Sequence, residues 1–166
     1  MNESDSGGKG TDLALASSEA GGGGNGASAA GTTAVLVVTH GDAGDAMLGE
    51  ARRLLGQHAT RSIETLPTTV AESRDQIRSR IDGAVRRLDD GRGVLVLVDL
   101  QGSTPCNCAV QVKQSGANVE ILCGLSLPML VKVAASDRAR LSPAELAHEA
   151  AQTAIRSIRL GEGGSA

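Results

Sequence analysis

Ala34-Val35-Leu36-Val37-Val38 runs without a break into Thr39-His40-Gly41. Five consecutive aliphatic side chains, three of them Val, leave no polar alternation. A strand with one face in water alternates apolar and polar residues, whereas an unbroken apolar run is covered on both faces. The same pattern returns at Val94-Leu95-Val96-Leu97-Val98, followed at once by Asp99. Two such strands, far apart in the chain, predict a parallel sheet buried between layers of helices.

The segments around these strands fit that frame. Asp45 to Gln57 carries Met47, Leu48, Ala51, Leu54 and Leu55 at helical spacing, with Gly56 near its stop. Arg61 to Leu66 reads as a further strand. Val70 to Leu88 reads as a long amphipathic helix with Ile77, Ile81, Val85 and Leu88 on one face. Pro105 to Gln114 is expected to be helical, Val119 to Leu122 a short strand, and Pro128 to Ala135 a helix with proline in its first turn. The final helix runs from Pro143 to about Ile158, with Ser142 as N-cap and Glu145 completing a capping box. Residues 1–31 are rich in Gly, Ser and Ala, and 161–166 are similar, so both are expected to be disordered. The folded domain is then 32–160.

Composition narrows the function. The chain has 166 residues, is 40% apolar and contains no Phe, Trp or Tyr. Without aromatic stacking platforms or a basic block, and with a net charge of −3, nucleic acid is not an expected partner. The N-terminus lacks a signal peptide's basic start and apolar run, and no stretch is apolar enough to span a bilayer, so a cytoplasmic location is expected. Cys106, Cys108 and Cys123 are read as free, buried thiols. A zinc site is not expected, because Cys-x-Cys lacks the usual ligand separation and no second pair exists. No metal or cofactor is assigned. His58, after a helix, and His148, within one, are read as surface residues. An esterase is disfavoured because no Gly-x-Ser-x-Gly elbow is present.

In a parallel α/β sheet, reacting groups gather at the carboxyl ends of the strands, where the winding reverses. Two loops qualify: Thr39-His40-Gly41-Asp42-Ala43-Gly44, and Asp99-Leu100-Gln101-Gly102-Ser103-Thr104-Pro105. If the two apolar strands are neighbours, these loops face one another. His40 is then a nucleophile on a rigid support. Asp99 is placed to accept from its Nδ1–H and leave Nε2 free. Gly102 allows close backbone approach, Ser103 and Thr104 offer hydroxyls and amides, and the following helix directs its N-terminus at the same point. A nucleophile, an orienting carboxylate and an anion cradle are what phosphoryl transfer requires. The candidate catalytic pair is His40 and Asp99. The candidate phosphoryl-binding set is Gly41, Gly102, Ser103 and Thr104.

These residues resemble a known family. Val37-Val38-Thr39-His40-Gly41, followed by an apolar helix, is similar to the start of mannose-family IIA domains of the sugar phosphotransferase system, which carry a phosphorylated histidine. Asp99, with Gly102-Ser103-Thr104-Pro105-Cys106-Asn107, resembles their Asp-x-x-Gly-Gly-Ser-Pro-x-Asn segment. Gly124-Leu125-Ser126-Leu127-Pro128-Met129-Leu130 resembles Gly-x-Asn-Leu-Pro-Met-Leu. The three segments occur in family order and span about residues 34 to 160.

The resemblance implies a three-layer α/β/α fold with a doubly wound, mainly parallel sheet. An antiparallel edge strand is also implied, within Ile155 to Leu160, where the local pattern alone says helix. It implies that His40 takes a phosphoryl group from the histidine phosphocarrier protein and passes it to a separate IIB component, with membrane transporter partners reached indirectly, and that the protein is a homodimer. Asp99 matches the aspartate that holds the histidine, and Thr104 the serine that contacts the phosphoryl group. Ser103 departs from the family by replacing the second glycine, which would cost stability if that site needs positive φ. Gln101 and Ser126 also depart, the latter replacing Asn. Two other readings stay open: a regulatory module that reports phosphorylation state without moving sugar, and the phosphoryl donor subunit of dihydroxyacetone kinase.

Overall fold

The computed structural model describes residues 31–161; the Gly-rich stretch before residue 31 and the last five residues lie outside it. Four strands, β1 (Ala34–His40), β2 (Ile63–Thr68), β3 (Val94–Val98) and β4 (Val119–Cys123), form one sheet in the order β2-β1-β3-β4. All three pairings are parallel. Five helices accompany them: α1 (Ala43–Leu55), α2 (Arg74–Leu88), α3 (Thr104–Gln114), α4 (Leu127–Ala135) and α5 (Pro143–Ser157). The winding reverses between β1 and β3, so the sheet is doubly wound.

Successive side chains of a strand point to opposite faces, and here each face has its own core. Leu36, Val38, Val94, Val96 and Val98 pack against Ile77, Ile81 and Val85 of α2 and Ala109 and Val112 of α3. Val35, Val37, Leu95 and Leu97 pack against Leu48 of α1, Leu130 and Val133 of α4, and Leu146 of α5. The central strands are buried on both sides, which is why their apolar runs are unbroken.

Element boundaries shift for identifiable reasons. Helix α2 begins at Arg74, not Val70. Ser73 accepts from Gln76 N–H while the Gln76 side chain returns to Ser73 N–H, so the capping box defines the start. Residues 70–72 form a turn instead, held by the Glu72 carboxylate on Thr69 N–H at 2.8 Å and by its ion pair with Arg80. Strand β2 ends two residues later than expected, at Thr68. The capping box on α5 is present as read. The antiparallel edge strand is not: among the described residues every strand is parallel. Ile155 to Ser157 continue α5, and Ile158 to Leu160 follow without regular structure. Ile155, Ile158 and Leu160 are exposed, so no core contact draws this segment out of the helical periodicity that precedes it.

Candidate functional site

Strand β1 delivers His40 to the carboxyl edge of the sheet. Pairing of Val38 with Val98 sets Asp99 one residue beyond β3, beside it. The His40 Nδ1–H lies 3.0 Å from Asp99 Oδ2 and 3.2 Å from Oδ1, and the His40 backbone N–H donates to Oδ2 at 2.8 Å. An ionised carboxylate only accepts, so Nδ1 is inferred to carry the proton and Nε2 the lone pair. Nε2 has no hydrogen-bond partner among the described residues, and the His40 side chain is 49% exposed. Asp99 is half-buried. The first and third strands are neighbours, and the two loops face one another.

The loop after His40 is tied by threonines that the sequence reading passed over. Thr39 Oγ1 accepts from Gly44 N–H and donates to the Gly41 carbonyl, both at 3.0 Å. Thr68 Oγ1 donates to the Thr39 carbonyl, and Gly41 N–H donates to the Thr68 carbonyl at 2.8 Å. Gly41 has φ +56, a left-handed conformation that glycine adopts without cost. Its N–H is therefore committed to the turn. The available signal was Thr at both paired strand ends, where a short hydroxyl can reach a neighbouring backbone group.

In the second loop, Gly102 holds the left-handed position at φ +77, and its carbonyl accepts from Asn107 Nδ2 at 3.2 Å. Ser103 has φ −69, so the side chain replacing glycine causes no backbone strain there. It is the N-cap of α3: Oγ accepts from Cys106 N–H at 3.4 Å and donates to the Leu100 carbonyl at 2.7 Å. The Ser103 hydroxyl is thus occupied. Thr104 is the first helical residue, exposed, with both N–H and hydroxyl unengaged among the described residues. Pro105 supplies no N–H. Of the expected cradle, Thr104 is the residue with an unengaged hydroxyl, and the N–H groups of Gly102 and Thr104 are both unengaged among the described residues. It lines a cleft of about 260 Å³ with His40, Thr68, Val70 and Glu72.

The third family-like segment serves packing. Ser126 caps α4 by accepting from Met129 N–H, while Met129 and Leu130 are buried. Ser in place of Asn keeps a capping oxygen. Cys108 is buried and donates its thiol to the Arg74 carbonyl at 3.4 Å, away from the site. Cys123 is partly exposed, unlike the burial expected for all three cysteines. His58 and His148 are exposed. No described group of three or more His, Cys, Asp and Glu is arranged to hold a metal ion, and no described helix is long and apolar enough to cross a membrane.

The fold and the site define a doubly wound α/β domain that presents a carboxylate-oriented histidine at its switch point. The chain belongs to the mannose-type IIA family of the phosphotransferase system: the family model described as "PTS system fructose IIA component" matches residues 34–151. It is 30% identical over 101 residues to the PTS system mannose-specific EIIAB component of Escherichia coli K12, covering 61% of this chain and 31% of that protein. The chain thus spans under a third of the length of that relative. Among solved structures, the mannose/sorbose specific IIA subunit from Enterococcus faecalis superposes with a TM-score of 0.72 at 20% identity, covering 81% of this chain and 98% of that one. The PTS IIA protein associated with the fucose utilization operon of Streptococcus pneumoniae gives a TM-score of 0.64 at 26% identity, covering 74% and 91%.

Proposed function

We propose that His40 is a phosphoryl carrier, accepting from the histidine phosphocarrier protein and donating to a IIB component of a sugar phosphotransferase system. The observation that carries this reading is the Nδ1–Asp99 hydrogen bond at 3.0 Å, which leaves Nε2 unengaged at the open end of β1. Family membership supports it.

In the forward step, the Nε2 lone pair attacks the phosphorus of the donor's phosphohistidine. The Nε2–P bond forms as the donor's N–P bond breaks, and the donor imidazole leaves with its electron pair. Positive charge develops on the His40 ring, and Asp99, hydrogen-bonded to Nδ1–H, stabilises it. The Thr104 N–H and hydroxyl face the transferred oxygens, aided by the α3 N-terminus. Gly41 and Gly102 shape the two loops, and Ser103 holds the end of α3 that carries Thr104. Transfer to the IIB component reverses these steps. With this reading go a cytoplasmic location, a homodimer, and membrane transporter partners reached through the IIB component.

The test is intact mass and phosphorus NMR after incubation with phosphoenolpyruvate, enzyme I and the phosphocarrier protein, on wild type and His40→Ala. An acid-labile, alkali-stable phosphoryl group on wild type alone is expected. Absence of label, under conditions that phosphorylate a known IIA domain, would overturn the carrier role.

A further inference from the structure

Two of the three cysteines meet beside the site. Cys123 closes β4 opposite Val98, and Cys106 lies in the first turn of α3, two residues after Thr104. Their sulfur atoms are 3.3 Å apart. Cys106 is buried and Cys123 partly exposed, so the pair is reached from the Cys123 side. A disulfide has S–S near 2.0 Å, so the sulfurs need to close by roughly 1.3 Å. Asp99 follows directly on Val98, the β3 partner of Cys123, and its charge acts on the Cys123 thiol.

We propose that Cys106 and Cys123 form a redox modification site, oxidised by a small hydroperoxide to an intramolecular disulfide that disturbs the His40 site and slows phosphoryl transfer. The effect on transfer rests on the phosphocarrier reading; the disulfide and its effect on His40 do not.

The chemistry balances with hydrogen peroxide as oxidant. The Cys123 sulfur, as thiolate, attacks one peroxide oxygen; S–O forms, O–O breaks, and the departing hydroxide takes up a proton to become water. The Cys106 sulfur then attacks the Cys123 sulfenic acid. S–S forms, S–O breaks, and the hydroxide leaves as water with the Cys106 proton. Two thiols lose two electrons, and one peroxide becomes two waters. A dithiol reductant reverses the change. Burial, the hydrogen bond with Cys106 and the Asp99 charge push the Cys123 thiol up to about 11. The reaction is therefore slow near neutral pH and accelerates as pH rises.

The link matters because Cys106 shares the first turn of α3 with Thr104, and its N–H bond to Ser103 is already long at 3.4 Å. Drawing Cys106 toward β4 shifts that turn, and displacements near 1 Å at a transfer site reduce rates by up to about 100-fold.

The full-length protein is treated with hydrogen peroxide at pH 8, its remaining thiols are blocked, and it is digested without reduction. A Cys106–Cys123 linked peptide with alkylated Cys108 is expected by mass spectrometry, reversed by dithiothreitol and absent in Cys123→Ser. No such peptide, or links only between chains, would overturn the site. On the oxidised protein, the His40 ring signals, assigned with His40→Ala, are expected to move in NMR; unchanged signals would overturn the coupling to His40. Phosphoryl uptake is expected to fall by about 10-fold or more on oxidation of wild type and to stay unchanged on peroxide treatment of Cys123→Ser. An equal rate before and after linkage would overturn the effect on transfer. Failure of the reduced protein to take up phosphate counts against the carrier role alone, and the linked peptide and NMR signals still decide the disulfide.

Discussion

His40 uses one carboxylate twice, through its ring Nδ1–H and its backbone N–H, so Asp99 sets both the tautomer and the direction of the ring. Asp99→Asn keeps the size and removes the charge. Phosphoryl uptake by quench-flow should fall by about 100-fold, the lower range for a positioned proton-handling group, with the fold retained by circular dichroism. A change under about threefold would leave the carboxylate outside the chemistry. Ser103 and Thr104 are adjacent but should separate. Ser103→Ala removes an N-cap and is expected to cost about 1 kcal/mol in urea unfolding. Thr104→Ala removes an exposed hydroxyl, with stability changing by less than about 0.5 kcal/mol while phosphoryl uptake slows. Equal rates for the two variants would contradict the assignment of the free hydroxyl to Thr104. The placement of His40 and Asp99 side by side was legible in the sequence, because Asp99 directly follows one unbroken apolar run and His40 lies one residue beyond the other, after Thr39. The division of labour between Ser103 and Thr104 was not. Both carry hydroxyls, and only the backbone shows that one sits at the cap and the other one residue inside.

Helix starts were legible where the capping residues stand alone, and misread where a good helix former precedes them. Ala71 and Glu72 extend the pattern of α2 backward, yet Ser73 and Gln76 close the box and leave Val70 fully exposed. At α5, Ser142 and Glu145 mark the start without competition. The hydrogen bond from the Ser142 hydroxyl, then that from its backbone N–H, holds the Glu145 carboxyl below the usual carboxylate range. A carboxyl lowered in the folded state contributes stability above its unfolded value, near 4.3, and loses it as pH falls through the folded value. Glu145→Gln should therefore lower the urea midpoint at pH 7, with the gap from wild type narrowing as pH falls below about 4. A gap that stays constant across that range would show that the charge plays no part. The edge strand expected within Ile155 to Leu160 came from family likeness, against a local pattern that said helix; in the described chain the helical periodicity prevails to Ser157.

Across the whole molecule, the two unbroken apolar runs prove to be the two central strands of the order β2-β1-β3-β4. A run covered on both faces already marks a parallel sheet between helices, which is why the fold class was legible in the sequence while the full strand order was not. Nor was what stabilises the opposite end of the sheet. Arg138, 6% exposed, donates to the backbone carbonyls of Thr33, Ala59, Arg61 and Ser62, joining the start of β1 to the turn before β2. Nothing in the sequence distinguishes it from the other arginines. Arg138→Met keeps much of the length and leaves these carbonyls without their donor, so a loss of about 3 kcal/mol is expected in urea unfolding. A loss under about 1 kcal/mol would mean that water replaces the guanidinium. Val70 stands fully exposed on the loop that borders the His40 cleft, in a chain with no aromatic residue of its own. The molecule is therefore dark at the wavelengths where indole emits, and a single tryptophan placed at Val70 would be its sole emitter, able to report encounters at the cleft in a stopped-flow instrument.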